Sequence, residues 1–215
     1  MVIINGLPGT GKTTLSKILV NKYGYKYAND WDILKQHNIK INKLEYKILI
    51  SNKYSKLIAD NILSYKEDKV VFDLEYSISP NDLIKYKLNE ISQCFYLGFT
   101  ALPNETIFNF FRKSSSNNNK SDDELKQEIE FYKNNSIEYQ KQCSKHNLEF
   151  IDICKDRKLI FEEILDKINW YTMIHLSGTA WKSSTPPIGT AFAHAVLLFL
   201  SKKHSRHSYT YSTKE

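Results

Sequence analysis

The feature that most constrains the fold is a glycine-rich run near the start of the chain. Residues 2–5 are Val-Ile-Ile-Asn, the run is Gly6-Leu7-Pro8-Gly9-Thr10-Gly11-Lys12-Thr13, and residues 14–20 have a helix-forming sequence. This is the spacing G-x-x-x-x-G-K-T between a buried strand and a helix. Its glycines let successive N–H groups point inward at a helix N-terminus, where they bind anions. The run therefore predicts a phosphate-binding loop, which we call the phosphate loop (residues 6–13).

The residue types in the phosphate loop also predict what each would do. We expect Lys12 to reach the terminal phosphates of ATP and to act in catalysis, and the Thr13 hydroxyl to join the Mg²⁺ shell. Nucleotide contacts are expected from every residue of the loop and from the next one: Gly6, Leu7, Pro8, Gly9, Thr10, Gly11, Lys12, Thr13 and Thr14. The alternative is a glycine-rich turn before an ordinary helix.

Strand-like and helix-like segments alternate along the rest of the chain. Apolar, β-prone runs predict strands at residues 2–5, 25–28, 69–73, 93–99 and 148–153. Helices are expected at 14–23, 40–66, 79–88, 103–113, 121–146 (with an interruption at Asn134-Asn135 left open) and 157–169. This alternation predicts an α/β protein with a three-layer fold, in which helices flank a five-stranded parallel sheet.

Charge and cysteine content limit the class of binding partner and the cellular compartment that we expect. The 215 residues carry a net charge of +6, but residues 1–170 contribute only +2, which suits a nucleotide binder and not duplex DNA. Cys94, Cys143 and Cys154 are widely spaced, so neither a disulfide framework nor a zinc site is expected. This cysteine pattern suits a reducing, cytoplasmic location. Because the first strand is expected to start at residue 2, we expect no leader segment. We also expect a monomer.

The composition changes at about residue 171. Asparagine does not occur after Asn169, and the segment 171–215 has five basic residues against one acid. We expect residues 1–170 to form the main domain and 171–215 an atypical, poorly ordered extension or the product of a shifted or fused reading frame. The apolar stretch 188–200 is too short to span a bilayer, although an interfacial helix is an alternative.

Acidic residues follow two of the predicted strands. Asp30 and Asp32 follow the second strand, and Asp73 follows the third. Parallel sheets carry functional residues at the carboxyl ends of their strands, and two acids spaced D-x-D share one side of an extended segment. We therefore expect Asp30 or Asp32 to orient or deprotonate an attacking group, and Asp73 or the other member to hold Mg²⁺. The alternative is that Asp32 caps a helix beginning at Ile33.

Two arginines are further candidates because arginine is rare here. The chain has three arginines against 27 lysines. Arginine suits bidentate contact with phosphate and stacking on a base. Arg112, at the start of a polar loop, is expected to neutralise charge on the transferred group, and Arg157 to flank an adenine. A surface cation is the alternative for each.

These features together resemble the small P-loop kinases, which include adenylate-kinase-like and shikimate-kinase-like phosphotransferases. The resemblance covers residues 1–170 and implies acceptor-side helices at 33–66 and a lid loop at 113–121. It also implies that Asp30 and Asp32 act on the acceptor or on Mg²⁺. The chain departs from the pattern after the third strand, where Asp73-Leu74-Glu75-Tyr76 replaces the Asp-Gly-Phe-Pro-Arg of adenylate kinases and the glycine triplet of shikimate kinases.

The resemblance favours one function and leaves two others open. The leading hypothesis is an ATP-dependent kinase for a small acceptor, which would be a nucleotide, a nucleoside or a hydroxyl metabolite. A 5′-hydroxyl polynucleotide kinase and a degenerate nucleotide-binding module with a regulatory role are the alternatives. A GTPase is disfavoured because no Asn-Lys-x-Asp motif occurs. A AAA-type motor is disfavoured by the length and by the missing adjacent acidic pair.

Overall fold

The protein is built on a parallel five-stranded sheet. The computed structural model describes residues 1–39, 53–75, 77–113, 117, 119–154 and 156–180, with side chains as far as residue 169. The strands are β1 (Val2–Gly6), β2 (Lys26–Asn29), β3 (Val70–Glu75), β4 (Gln93–Gly98) and β5 (Glu149–Asp152). They pair in the order β2-β3-β1-β4-β5, and all pairs are parallel. The predicted sheet is confirmed.

Helices connect the strands and flank the sheet. In the described part of the chain these are α1 (Lys12–Tyr23), α2 (Asp30–Gln36), α3 (Ser55–Ser64), α4 (Pro80–Lys85), α5 (Asn104–Arg112), α6 (Asp122–Lys145) and α7 (Arg157–Ala180), with a short 3-10 helix at Leu88–Glu90. The α/β class and the flanking helices are as predicted. Of the helical stretch expected at 40–66, residues 40–52 lie outside the described residues.

The core explains why β1 and β3 are the strands most easily read from sequence. All five residues of β1 are buried, as are the first five of β3. Ile3, Ile4 and Phe72 have no exposed surface. A strand covered on both faces reads as a continuous apolar run, which is the pattern that predicted both strands.

Helix ends follow the local signals in the sequence. Gly24 ends α1 in the left-handed conformation, and Ser121 begins α6 with a capping box in which Glu124 reaches back to the Ser121 N–H. One open point is answered and one expectation is wrong in detail. Helix α6 continues through Asn134-Asn135, where the Asn135 side chain donates to Phe131 O within the helix. Helix α7 extends beyond 169 to Ala180, and no proline or glycine interrupts it before Gly178.

The chain divides into two compact units, Met1–Ile168 and Asn169–Glu215. The first unit contains the whole sheet. Of the second, the structure describes residue 169 and only the backbone of the helical residues 170–180, so the expectation for 181–215 lies outside the described residues. The predicted domain boundary at residue 170 stays a prediction. Within the described ranges, no helix combines the length and the apolar character needed to cross a membrane.

Candidate functional site

The phosphate loop joins the central strand β1 to α1. Gly6, Gly9 and Gly11 have φ angles of +154°, +78° and +93°, which are strained for any residue with a side chain. At Gly6 a Cβ atom would lie 2.2 Å from the backbone oxygen of Leu97 in the neighbouring strand β4. The first glycine of the motif is therefore required by the sheet itself as well as by the turn.

Hydrogen bonds within the loop converge on one carbonyl group. Leu7 O accepts from the Thr10 N–H (3.3 Å), from Thr10 Oγ1 (2.8 Å) and from Lys12 Nζ (2.9 Å). The Leu7 N–H in turn donates to Leu97 O at 3.2 Å. Lys12 is only 4% exposed, whereas Thr13 and Thr14 at the start of α1 are exposed. The loop is thus held in a fixed shape at the carboxyl edge of the sheet.

Thr13 and Asp73, the two predicted metal ligands, lie together beside the loop, and their metal-binding role stays a prediction. Thr13 Oγ1 donates to Asp73 Oδ2 at 2.7 Å, and the Tyr27 hydroxyl donates to the same oxygen at 3.1 Å. Burial is the main cause that raises the pKa of Tyr27, and the Asp73 charge adds to it. One carboxylate and one hydroxyl are ligands that Mg²⁺ takes beside phosphate oxygens and water, so the donor set fits that ion.

The expectation that Asp30 and Asp32 share one side of an extended segment is wrong. Asn29 caps α2 and Asp30 is already helical, so the two carboxylates point roughly 200° apart around the helix axis. Asp30 is buried, and its Oδ2 accepts the Glu75 N–H at 2.6 Å. Asp32 is exposed, accepts from Asn29 Nδ2 at 2.7 Å and donates its N–H to Asn29 Oδ1 at 2.9 Å. The cap is therefore Asn29 and not Asp32, and a catalytic role for either acid stays a prediction.

Glu75 is a candidate that the sequence interpretation missed. It is the last residue of β3, two positions after Asp73, so both side chains lie on the same face of the sheet. Its Oε1 lies 3.9 Å from Lys12 Nζ. The signal was present in Asp73-x-Glu75, which has the same-face spacing that was sought at residues 30 and 32.

A polar pocket opens beside the carboxyl end of β2. Its volume is about 460 Å³, and it is lined by Tyr27, Ala28, Asn29, Asp32, Ile33, Lys35, Gln36 and Tyr65. Tyr27 links this pocket to Asp73 and Thr13 through its hydroxyl group. The pocket lies after the second strand, where the resemblance placed the phosphate acceptor.

Arg157 lies against the other side of the phosphate loop. Its Nη2 donates to Gly9 O at 2.8 Å, and its guanidinium carbon is 3.9 Å from the centre of the Phe110 ring. Burial lowers the pKa of Arg157, although an arginine at this depth stays charged. Arg157 and Phe110 line a second pocket of about 190 Å³, whose walls are mainly apolar. The other lining residues are Phe99, Leu102, Thr106, Ile107, Ile153 and Cys154.

Arg112 is the last residue of α5 and directly precedes the segment 113–121. Its guanidinium donates to Lys120 O at 2.8 Å, forms an ion pair with Asp122 and lies 5.5 Å from the Phe108 ring centre. These contacts tie the arginine to its own segment. The lid role of that segment and the catalytic role of Arg112 stay predictions, and residues 114–116 and 118 lie outside the described residues.

Comparison with known proteins gives one partial relative and solved structures with the same fold. No family model matches the chain. A curated protein of Thermococcus kodakarensis named "Putative adenylate kinase" is 41% identical over 51 residues, which are 22% of this chain and 29% of that protein. The match thus spans less than a third of the relative's length.

Two solved shikimate kinases share the architecture. The enzyme from Bacteroides thetaiotaomicron has a TM-score of 0.55 at 16% identity, over 78% of this chain and 97% of that one. The enzyme from Acinetobacter baumannii, solved in complex with shikimate, has a TM-score of 0.51 at 14% identity, over 79% and 93% of the two chains. At these identities the similarity shows the fold alone. The chain therefore has the three-layer P-loop NTPase fold of shikimate kinase, and its predicted resemblance to the small P-loop kinases is confirmed.

Proposed function

We propose that the protein is an ATP-dependent phosphotransferase that moves the γ-phosphate to a small acceptor. The observation that carries this proposal is the arrangement at one sheet edge. There the phosphate loop with Lys12, the Thr13–Asp73 pair and a polar pocket joined to that pair by Tyr27 lie side by side. Phosphoryl transfer needs little more than positioning and charge stabilisation, which such an arrangement provides.

The donor nucleotide would bind along the phosphate loop. The loop N–H groups and Lys12 would hold its phosphates, because a glycine-rich turn at a helix N-terminus concentrates donors and positive charge there. The small pocket of Arg157 and Phe110 would take the adenine, since a planar base stacks on an aromatic ring or a guanidinium group.

Thr13 and Asp73 would hold the Mg²⁺ that accompanies the nucleotide. Their oxygens lie 2.7 Å apart beside the loop. When bound, such an ion neutralises charge that develops on the phosphates. The Tyr27 hydroxyl, which donates to the same Asp73 oxygen, would keep that carboxylate turned toward Thr13.

The acceptor would bind in the pocket beside β2. Its volume of about 460 Å³ suits a small molecule and would not enclose a long polymer. Lys35 offers a positive charge to an anionic group of the acceptor, while Asn29, Asp32 and Gln36 offer hydrogen bonds. Arg112 would contact the transferred phosphate only after its bonds to Lys120 O and Asp122 were broken.

An acceptor screen tests the proposal. The protein is incubated with Mg²⁺, γ-labelled ATP and a panel of nucleosides, nucleoside monophosphates, hydroxy acids, sugars and 5′-hydroxyl oligonucleotides. Label should move to one small acceptor, and Lys35→Ala should raise the KM for that acceptor with less effect on the KM for ATP. Transfer only to oligonucleotides would favour the polynucleotide kinase, and ATP binding without any transfer would favour a degenerate nucleotide-binding module.

A further inference from the structure

Glu75 lies at the carboxyl edge of the sheet, beside the phosphate loop. It ends β3 directly beside Gly6, the first residue of the phosphate loop, with which it pairs in the sheet. Its side chain is 34% exposed, and its carboxylate lies 3.9 Å from Lys12 Nζ. A lysine in this loop position contacts the β- and γ-phosphates. Glu75, which neighbours Lys12, would therefore lie close to the transferred group.

The position of Glu75 is fixed from several sides. The buried Asp30 accepts its backbone N–H at 2.6 Å, and Lys12 attracts its carboxylate. Burial raises the pKa of Tyr132 in α6, and the charge of Glu75 raises it further. These contacts hold an acidic group at the sheet edge without burying it.

The other acids at this edge are less suited to accept a proton. Asp73 already accepts two hydroxyl hydrogen bonds on the metal side of the loop. Asp30 is 1% exposed and accepts the Glu75 N–H, and the Asp32 carboxylate accepts a hydrogen bond from Asn29, the cap of α2. Asp152 accepts from Thr100 and from the Ala101 N–H at the end of β5.

We propose that Glu75 is the general base of the transfer reaction and that the acceptor is therefore a hydroxyl compound. This inference rests on the proposed function. As the acceptor oxygen bonds to the γ-phosphorus, the bond from that phosphorus to the β,γ-bridging oxygen breaks and ADP leaves with its electron pair. Glu75 takes the hydroxyl proton and later returns it to solvent. A phosphate acceptor is already ionised and would be repelled by this carboxylate, whereas a hydroxyl group needs it.

Substitution of Glu75 separates this role from nucleotide binding. Glu75→Gln keeps the shape of the side chain and removes the base, so kcat with the acceptor found in the screen should fall about 10²- to 10⁴-fold. The affinity for a fluorescent ATP analogue should be no weaker, because Lys12 loses only a competing partner. Glu67→Gln is the matched control, since Glu67 is an exposed acid paired with Lys26 at the edge strand, and its kcat should match that of the wild type.

Chemical rescue distinguishes a base from a structural residue. In Glu75→Ala, added formate should restore kcat at least tenfold, and Glu75→Asp, which keeps the carboxylate, should retain more activity than Glu75→Gln. Melting temperatures of all variants show whether the fold is retained.

Three results with an active wild type would overturn the inference while leaving the proposed function intact. The first two are a kcat of Glu75→Gln within threefold of the wild type, and a loss that neither formate nor Glu75→Asp restores. The third is transfer only to nucleoside monophosphates. A wild type that transfers phosphate to no acceptor would overturn both proposals.

Discussion

Among the five glycines whose surroundings the structure describes, Gly6 has the least room for a side chain. Its φ angle of +154° and the backbone of Leu97, which would lie 2.2 Å from a Cβ atom, both exclude a side chain. Gly24 also has a positive φ, +69°, but nothing lies within 4 Å of the position that its Cβ would occupy. Substitution at Gly24 therefore tests backbone strain alone, whereas substitution at Gly6 tests backbone strain together with a steric clash.

Alanine substitution at these two glycines should give unequal losses of stability. Gly24→Ala should lower the free energy of unfolding by about 1 kcal/mol, the ordinary cost of a left-handed residue. Gly6→Ala should lower it by at least about 3 kcal/mol, because strain is joined by a clash between adjacent strands. Urea unfolding measures both. Equal losses would show that the β1–β4 contact relaxes freely.

The site was predictable from sequence where one motif specifies both structure and chemistry. Residues 2–20 carry a strand, a turn and a helix start in fixed order, so their placement followed directly. Asp30 and Asp32 were placed by assuming an extended segment, but Asn29 caps a helix there because its side chain accepts the Asp32 N–H. Glu75 was missed because its partner, Lys12, is 63 positions away in the chain and meets it only through the pairing of β1 with β3.

At the scale of elements, two short helices begin with equivalent caps. Asn29 Oδ1 accepts the Asp32 N–H at 2.9 Å at the start of α2, and Ser79 Oγ accepts the Asp82 N–H at 3.0 Å at the start of α4. The Ser79-Pro80 signal was predictable because serine and proline are the preferred residues at those positions. The Asn29 cap was not, since the strand before it ends without a gap.

Removal of the two caps should have the same effect on stability and different effects on activity. Asn29→Ala and Ser79→Ala should each lower the free energy of unfolding by about 1 kcal/mol. Asn29 also lines the pocket beside β2, so only its substitution should raise the KM for the acceptor. Unfolding and steady-state kinetics of both variants check this. A matching rise in KM for Ser79→Ala would contradict the placement of the acceptor.

At the scale of the whole molecule, the fold class followed from the alternation of strands and helices. The strand order β2-β3-β1-β4-β5 did not, because it depends on which strands pair and not on any local pattern. The end of α7 was predicted at residue 169, which is too early, because a change in composition at residue 171 does not end a helix. Local signals thus gave the elements, and tertiary pairing arranged them.

The folded protein should lose stability in alkali. Burial raises the pKa values of Tyr96, Tyr132 and Tyr139 above the ordinary 10.0. Their contribution is complete below pH 10 and is lost as the pH rises further, because the unfolded chain releases protons that the folded chain retains. Each such residue should lower the free energy of unfolding by about 1.4 kcal/mol per pH unit above about pH 10.

Urea unfolding between pH 9 and 12 measures this slope, and absorbance of tyrosinate follows the ionisation. Tyr96→Phe should reduce the slope by about 1.4 kcal/mol per pH unit, which corresponds to the release of one proton. The reason is that the Tyr96 hydroxyl group is one of those that titrate only on unfolding. Ionisation of these buried side chains near pH 10 without unfolding would contradict the packing of the core.

The most direct test of the phosphotransferase assignment is the stoichiometry of transfer in the wild type and in Lys12→Ala. With ATP, Mg²⁺ and the acceptor from the screen, the wild type should form ADP and phosphorylated acceptor in equal amounts. Lys12→Ala should form both at least about 10²-fold more slowly, because it loses the buried charge that, in the proposed function, would hold the transferred phosphate. Equal rates for the two proteins, or ADP formation that does not depend on any acceptor, would contradict the account.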